Sequence, residues 1–276
     1  MADYRIGFKW WALIIAVVFV ISELVCVVCV PERPVACDEK PGKISDMFKA
    51  LFKNDQAMTV VVSIILVYTS LNICGNLVLY FFRFDVGNEG AYSIFAAVAF
   101  AAQVLVMMVI PLLRKRFSKS QLFISGFIIQ IAGFAVIFIM AFAKLYTPQS
   151  WYILCLPGIL IYLGYGMLNV IMTIFLSDSV DYGEVMNGTR EESVIFSMQT
   201  FTVKLASGVA VFLAGLVVDW IHLDTAAAVQ TQDTLDALRM WMTIPSVILL
   251  IVGIFVFKRF YKLDDTRMEE IKSKLN

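Results

Sequence analysis

At 276 residues, the chain is 60% hydrophobic and only 16% charged, against about 45–50% and about 25% in soluble domains. That composition excludes a soluble globular fold and points to an integral membrane protein. Lys+Arg and Asp+Glu balance at 22 each and no nucleic-acid partner is expected, while one histidine and five scattered cysteines support neither a metal cluster nor a disulfide framework.

Seven segments are long enough to cross a hydrocarbon core of about 30 Å: 10–30, 57–82, 90–113, 121–143, 151–176, 193–218 and 241–260. The first follows Arg5 and Lys9 and precedes Ala36-Cys37, as a secretory signal would. Its apolar run is too long for a signal core, and Glu32 and Arg33 stand before the small residues, so it reads as a spanning helix. Its Cys26 and Cys29 form a C-x-x-C at which two small apolar side chains are expected, not redox chemistry.

Pro31-Glu32-Arg33-Pro34, Pro41-Gly42-Lys43 and a charged amphipathic stretch, Ile44 to Asn54, then interrupt the pattern. The expected organisation is one transmembrane helix (1–30), a central cytoplasmic loop (31–56), a block of six helices (57–260) and a cytoplasmic tail (261–276). In the second helix Tyr68, Asn72, Asn76 and Tyr80 recur every four residues and share a face. Arg114-Lys115-Arg116 and Thr147-Pro148 mark turns between later helices. The fifth helix carries Tyr162, Tyr165 or Gly166, Asn169 and Thr173 on one face, and Pro157-Gly158 with Gly164-x-Gly166 is expected to weaken it.

A loop is expected from 177 to 192, with three acids (Asp178, Asp181, Glu184) followed by Arg190. Such groups at a helix mouth can form exchangeable ion pairs that latch a cytoplasmic gate; a solvated loop with idle charges is the alternative. In the sixth helix Ser193, Ser197, Thr200, Lys204, Ser207 or Gly208, Val211 and Gly215 line one face. Lys204 lies eleven residues from Ser193 and fifteen from Asp219. Those separations are roughly 16 and 22 Å along a helix, and a lysine stem reaches only about 6 Å. A water- or ligand-filled cavity beside the helix is the expected solution, with a buried ion pair or a thinned membrane as alternatives. Interhelical hydrogen bonding would account for any one polar stripe, but three stripes and a lysine favour a shared cavity.

Basic residues set the orientation. The loops 31–56, 114–120 and 177–192 and the tail 258–276 hold 16 of the 22 Lys and Arg, and the opposite side holds five. The amino terminus is therefore expected outside and the carboxyl terminus in the cytoplasm.

The run D-x-x-D-Y-G-E from Asp178, the arginine soon after it, and S-x-Q-T-x-x-V-K from Ser197 to Lys204 closely resemble the glycoside-pentoside-hexuronide:cation symporters. This is the family of the melibiose permease, within the major facilitator superfamily. Leu51-Phe52-Lys53-Asn54 and the tail Tyr261-Lys262-Leu263-Asp264 with Ile271 and Leu275 agree with it. The fold the resemblance implies is an all-α membrane protein of seven transmembrane helices, the last six forming one half-bundle of a major-facilitator-type transporter. It places Gln199, Thr200, Val203 and Lys204 on the sugar pocket and Asp178, Asp181, Glu184 and Arg190 at the cytoplasmic gate. The helical wheel itself puts Thr200 and Lys204 on the polar face but Gln199 off it. Asn169 stands where the melibiose permease has a tryptophan, so an amide replaces a stacking face and the substrate is expected to differ. Tyr68, Asn72 and Asn76 are expected to line the cavity.

A full family member has twelve helices in two halves with the site between them. This chain matches the sixth helix, the central loop and the second half, as a gene fragment or one part of a split transporter would. The resemblance implies a sugar or glycoside moved in symport with Na+ or H+, the cation held mainly by a missing amino-terminal six-helix half. The protein is then multi-pass in the inner or plasma membrane, with no cofactor. A half-bundle without transport of its own, a seven-helix receptor or retinal protein, and a membrane enzyme are the competing readings. A retinal lysine belongs in the last helix and Lys204 is in the sixth; a single histidine argues against acid–base chemistry.

Overall fold

The computed structural model describes residues 2–29, 52–188 and 192–275, so Arg190 and nearly all of the 31–56 loop lie outside the described residues. The described chain is helical and falls into two units, Met1–Gly42 and Lys43–Asn276. The first unit contains helix α1 (Ala2–Cys29), whose 28 residues span about 42 Å. The second contains α2 (Asp55–Tyr80), α3 (Ala91–Leu113), α4 (Lys119–Phe142), α5 (Cys155–Asn187), α6 (Glu192–Trp220), α7 (Gln232–Phe260) and α8 (Asp265–Leu275). Seven helices are long and apolar enough to cross a membrane, as expected for an all-α membrane protein.

Helix ends are set by local chemistry. The Asn54 side chain accepts a hydrogen bond from the Ala57 amide to start α2, and Ser118 forms a capping box with Gln121 at the start of α4. Thr231 caps α7, so that helix begins nine residues before the expected position 241. Asp233, Asp236 and Arg239 depress local hydropathy there without breaking the helix. A π-turn, Phe81–Asp85, extends α2.

One further expectation is corrected. From 177 to 187 the expected loop is helix: α5 continues to Asn187 and ends on Gly188, whose φ of +73° closes it in the left-handed region. Within the tail, α8 buries Met268 and Ile271, with Leu263 before it, against Tyr182 and Val185.

Within the second unit, α5 packs on α4 and α3, and α2 packs on α6 and α7. Glycines permit the closest approaches. A Cβ on Gly164 would meet the Gly126 carbonyl oxygen of α4 at 2.5 Å, and one on Gly166 would meet Val106 of α3 at 2.6 Å. The G-x-G pair therefore does not weaken α5; it admits a neighbouring helix on each side, as small residues do in membrane bundles. Phe123, Phe175, Phe257 and Tyr261 close the core near the α7 end, with Phe123 and Phe257 centroids 4.5 Å apart.

Candidate functional site

Three helices contribute to one polar seam. Tyr68 of α2 accepts a hydrogen bond at its hydroxyl from the Asn169 amide of α5, at 2.5 Å. Its ring meets Tyr165 edge-on at 5.5 Å, and Tyr162 follows at 6.4 Å. One turn beyond Asn169, Thr173 donates to the Asn169 carbonyl and receives a hydrogen bond from Gln199 of α6 at 3.5 Å. Gln199, off the polar face by helical wheel, is thus turned toward α5, where the structure gives it a partner.

Asn72 and Asn76 each donate to the carbonyl four residues earlier, Tyr68 and Asn72, at 2.7 Å. Each amide keeps its side-chain oxygen and a second N–H for another partner. Thr200 bonds back to the Phe196 carbonyl at 3.3 Å. The buried side of α6 is Ile195, Met198, Thr202, Ala206, Ala210, Ala214 and Val217, which leaves Thr200 and Lys204 exposed and Val203 half-buried. Lys204 makes no ion pair among the described residues. The expected shared cavity is, in this half-bundle, an open wall rather than an enclosed space. Hydrogen bonds connect Tyr68, Asn169, Thr173 and Gln199; Thr200 and Lys204 stand on the open side of α6, outside that chain.

The expected gate acids divide. Asp178 is buried and ion-paired with Lys119 at the start of α4. Lys119 also lies 3.5 Å from Asp265 of α8, which takes two hydrogen bonds from Arg114 at 3.3 and 3.5 Å. Burial alone would raise the Asp265 pKa, but the Arg114 hydrogen bond and the charges of Arg114 and Lys119 outweigh it and hold the carboxyl below its ordinary range. Asp178 therefore acts as a staple between α4 and α5 in this state. Asp181 and Glu184 follow on α5, half-buried, and their expected partner Arg190 lies outside the described residues.

Sequence reasoning missed the opposite end of the bundle. There Arg239 of α7 holds Asp85 through two hydrogen bonds of 2.5 and 2.8 Å, with Asp236 at 2.7 Å. Tyr146 donates to the same Asp85 carboxylate at 2.6 Å, and burial followed by that hydrogen bond pushes the Tyr146 hydroxyl pKa up. The available signal was an acid and an arginine placed just inside two apolar helices.

Residues 3–265 match the family described as MFS/sugar transport protein. The chain belongs to this family. Membership agrees with the resemblance to the glycoside-pentoside-hexuronide symporters and sets aside the receptor and enzyme readings. The symporter YjmB of Bacillus subtilis (strain 168) is 26% identical over 84% of this chain and 49% of its own. The raffinose carrier protein of Pediococcus pentosaceus is 25% identical over 84% of this chain and 35% of its own. The isoprimeverose transporter of Lactiplantibacillus pentosus is 24% identical over 94% and 52% respectively. The chain thus spans about half, or less, of the length of these curated relatives.

Proposed function

We propose that the chain supplies the carboxyl-terminal half of a secondary active transporter that moves a sugar or glycoside in symport with Na+ or H+. The observation that carries this reading is the exposed Lys204 in the middle of an apolar membrane-spanning helix, on the helix whose Gln199 joins a hydrogen-bonded polar seam. A lysine and amides at that depth are costly against lipid and suit a surface that faces a second bundle across an aqueous site. Tyr68, Asn72, Asn76, Asn169, Gln199, Thr200, Val203 and Lys204 form the half-site on this side. The amide and hydroxyl groups hydrogen-bond sugar hydroxyls, and Tyr68 offers an aromatic face that Asn169 cannot. The coupling cation is bound mainly by the amino-terminal six-helix half. The proposed exchanging groups of the cytoplasmic gate are Asp181, Glu184 and Arg190, since Asp178 is stapled to Lys119.

Proteoliposomes containing this chain alone are expected to show no gradient-driven accumulation of labelled raffinose or isoprimeverose, the sugars named for relatives. Co-reconstitution with the amino-terminal six-helix half of a relative is expected to produce it. Saturable accumulation by the 276 residues alone, under a sodium or proton gradient, would refute the half-transporter reading.

The orientation follows from the basic bias, with the protein multi-pass in the inner or plasma membrane and its carboxyl terminus in the cytoplasm. In a background with the native cysteines replaced, Lys115→Cys and Ala228→Cys are expected to react with impermeant reagents on opposite sides, Ala228→Cys from outside. Labelling of both from one face contradicts this topology.

A further inference from the structure

Where α2 begins and α7 ends, a cavity of about 430 Å³ opens between the two helices. Met58, Thr59 and Val62 of α2 and Val256 of α7 line it, together with the Phe260 ring. These residues belong to the membrane-spanning parts of their helices, which begin at Asp55 and stop at Phe260. The mouth is charged. Phe52 and Lys262 line it outside the two spans, and Arg259, next to the lining rather than in it, lays its guanidinium over the Phe260 ring, 5.6 Å from the centroid. The carboxylate lining the cavity is Asp55, 3.7 Å from Lys262, and both side chains are exposed. An exposed pair at that distance is weak, so Lys262 exchanges partners at little cost.

We propose that this cavity binds an anionic phospholipid, with one acyl chain against Met58, Val62 and Val256 and its phosphate between Arg259 and Lys262. The argument is the polarity gradient inside one cavity. Thr59 apart, it is apolar within the membrane-spanning turns. At the level where those turns end two cations, Lys262 in the lining and Arg259 against Phe260, stand beside one carboxylate, Asp55, which is the profile of an anionic phospholipid site. A sugar requires free hydrogen-bonding groups along the lining, whereas the one hydroxyl here, that of Thr59, donates to the Asp55 carbonyl at 2.8 Å. A free anion gains nothing from an apolar lining. Arg259 and Lys262 also sit at the end of the bundle that the charge bias assigns to the cytoplasm, the face where anionic headgroups concentrate. The transport wall begins at Tyr68, further along α2, and shares no residue with this cavity, so the inference stands apart from the proposed half-site.

Native mass spectrometry of the full chain in detergent, titrated with phosphatidylglycerol or with phosphatidylcholine of the same acyl chains, tests it. Phosphatidylglycerol is expected to bind more tightly. Arg259→Gln and Lys262→Gln should each weaken it about fivefold, and together about thirtyfold, if each cation contributes as one basic residue does near a membrane surface. Asp55→Asn is expected to tighten binding about threefold by removing the competing carboxylate. Val62→Trp, which fills the apolar part, should expel the lipid with both cations in place. An excess of inorganic phosphate should leave the bound lipid where it is. Equal affinity for the two lipids, displacement by inorganic phosphate, or an Asp55→Asn variant that binds no tighter overturns the proposal. The gain expected of Asp55→Asn cannot come from misfolding, so it decides the matter even where a loss-of-binding variant aggregates.

Discussion

Replacing Lys204 by methionine in the proposed two-half transporter is expected to lower gradient-driven sugar uptake about a hundredfold, the effect of losing one or two charge-assisted hydrogen bonds of about 1.5–3 kcal/mol each. Membrane insertion should survive, because methionine is apolar and of similar length and Lys204 is exposed on α6 rather than packed in the half-bundle. Two roles for the ammonium separate in the same variant. If Lys204 donates to sugar hydroxyls, equilibrium sugar binding falls with uptake. If it pairs with a cation-site carboxylate of the other half, sugar binding persists and the dependence on the cation gradient disappears. Lys204→Arg should restore little, since a planar guanidinium fork does not occupy the position of a compact ammonium. Undiminished uptake by the methionine variant would remove Lys204 from the site.

The largest stability effect is expected at the other end of the bundle. Asp85→Ala strands Arg239, a cation only 2% exposed, with the half-exposed Asp236 as its remaining carboxylate. Breaking one side of a buried pair costs about 3–5 kcal/mol, because the surviving charge stays desolvated. The midpoint of thermal unfolding of the full chain in micelles should drop accordingly. Asp85→Ala combined with Arg239→Met should be more stable than Asp85→Ala alone, since no unpaired charge is then left in the interior. Strictly additive losses would show that the two residues do not act as a pair. Tyr146 is the third member of this group, and its hydroxyl loses its acceptor when Asp85 is removed.

The seven spans were legible without coordinates because hydropathy over about 20 residues is a local property that a bilayer reads directly. The family was legible too, from the Asp178–Glu184 run and the Ser197–Lys204 helix, and so was the polar face that carries Thr200 and Lys204. What was misread has a common cause. Asp178 ended the apolar run and suggested a loop, yet α5 passes straight through it because Lys119, fifty-nine residues earlier, neutralises its charge in the interior. The glycines of α5 suggested a kink, yet each faces a neighbouring helix that needs the missing side chain. Gln199 fell off the polar face of its own helix, yet Thr173 of α5 accepts a hydrogen bond from its amide.

By itself, then, the sequence determined the membrane class, the number of spanning helices, and which faces are polar, since each depends on residues within a few turns of one another. Only the tertiary structure decided which charges are paired, that Asp85 and Arg239 are buried together, and that Tyr68, Asn169, Thr173 and Gln199 form one hydrogen-bonded seam. Those facts depend on partners far apart along the chain, and the free energy of a charge or amide inside a membrane is set by the partner that packing brings to it.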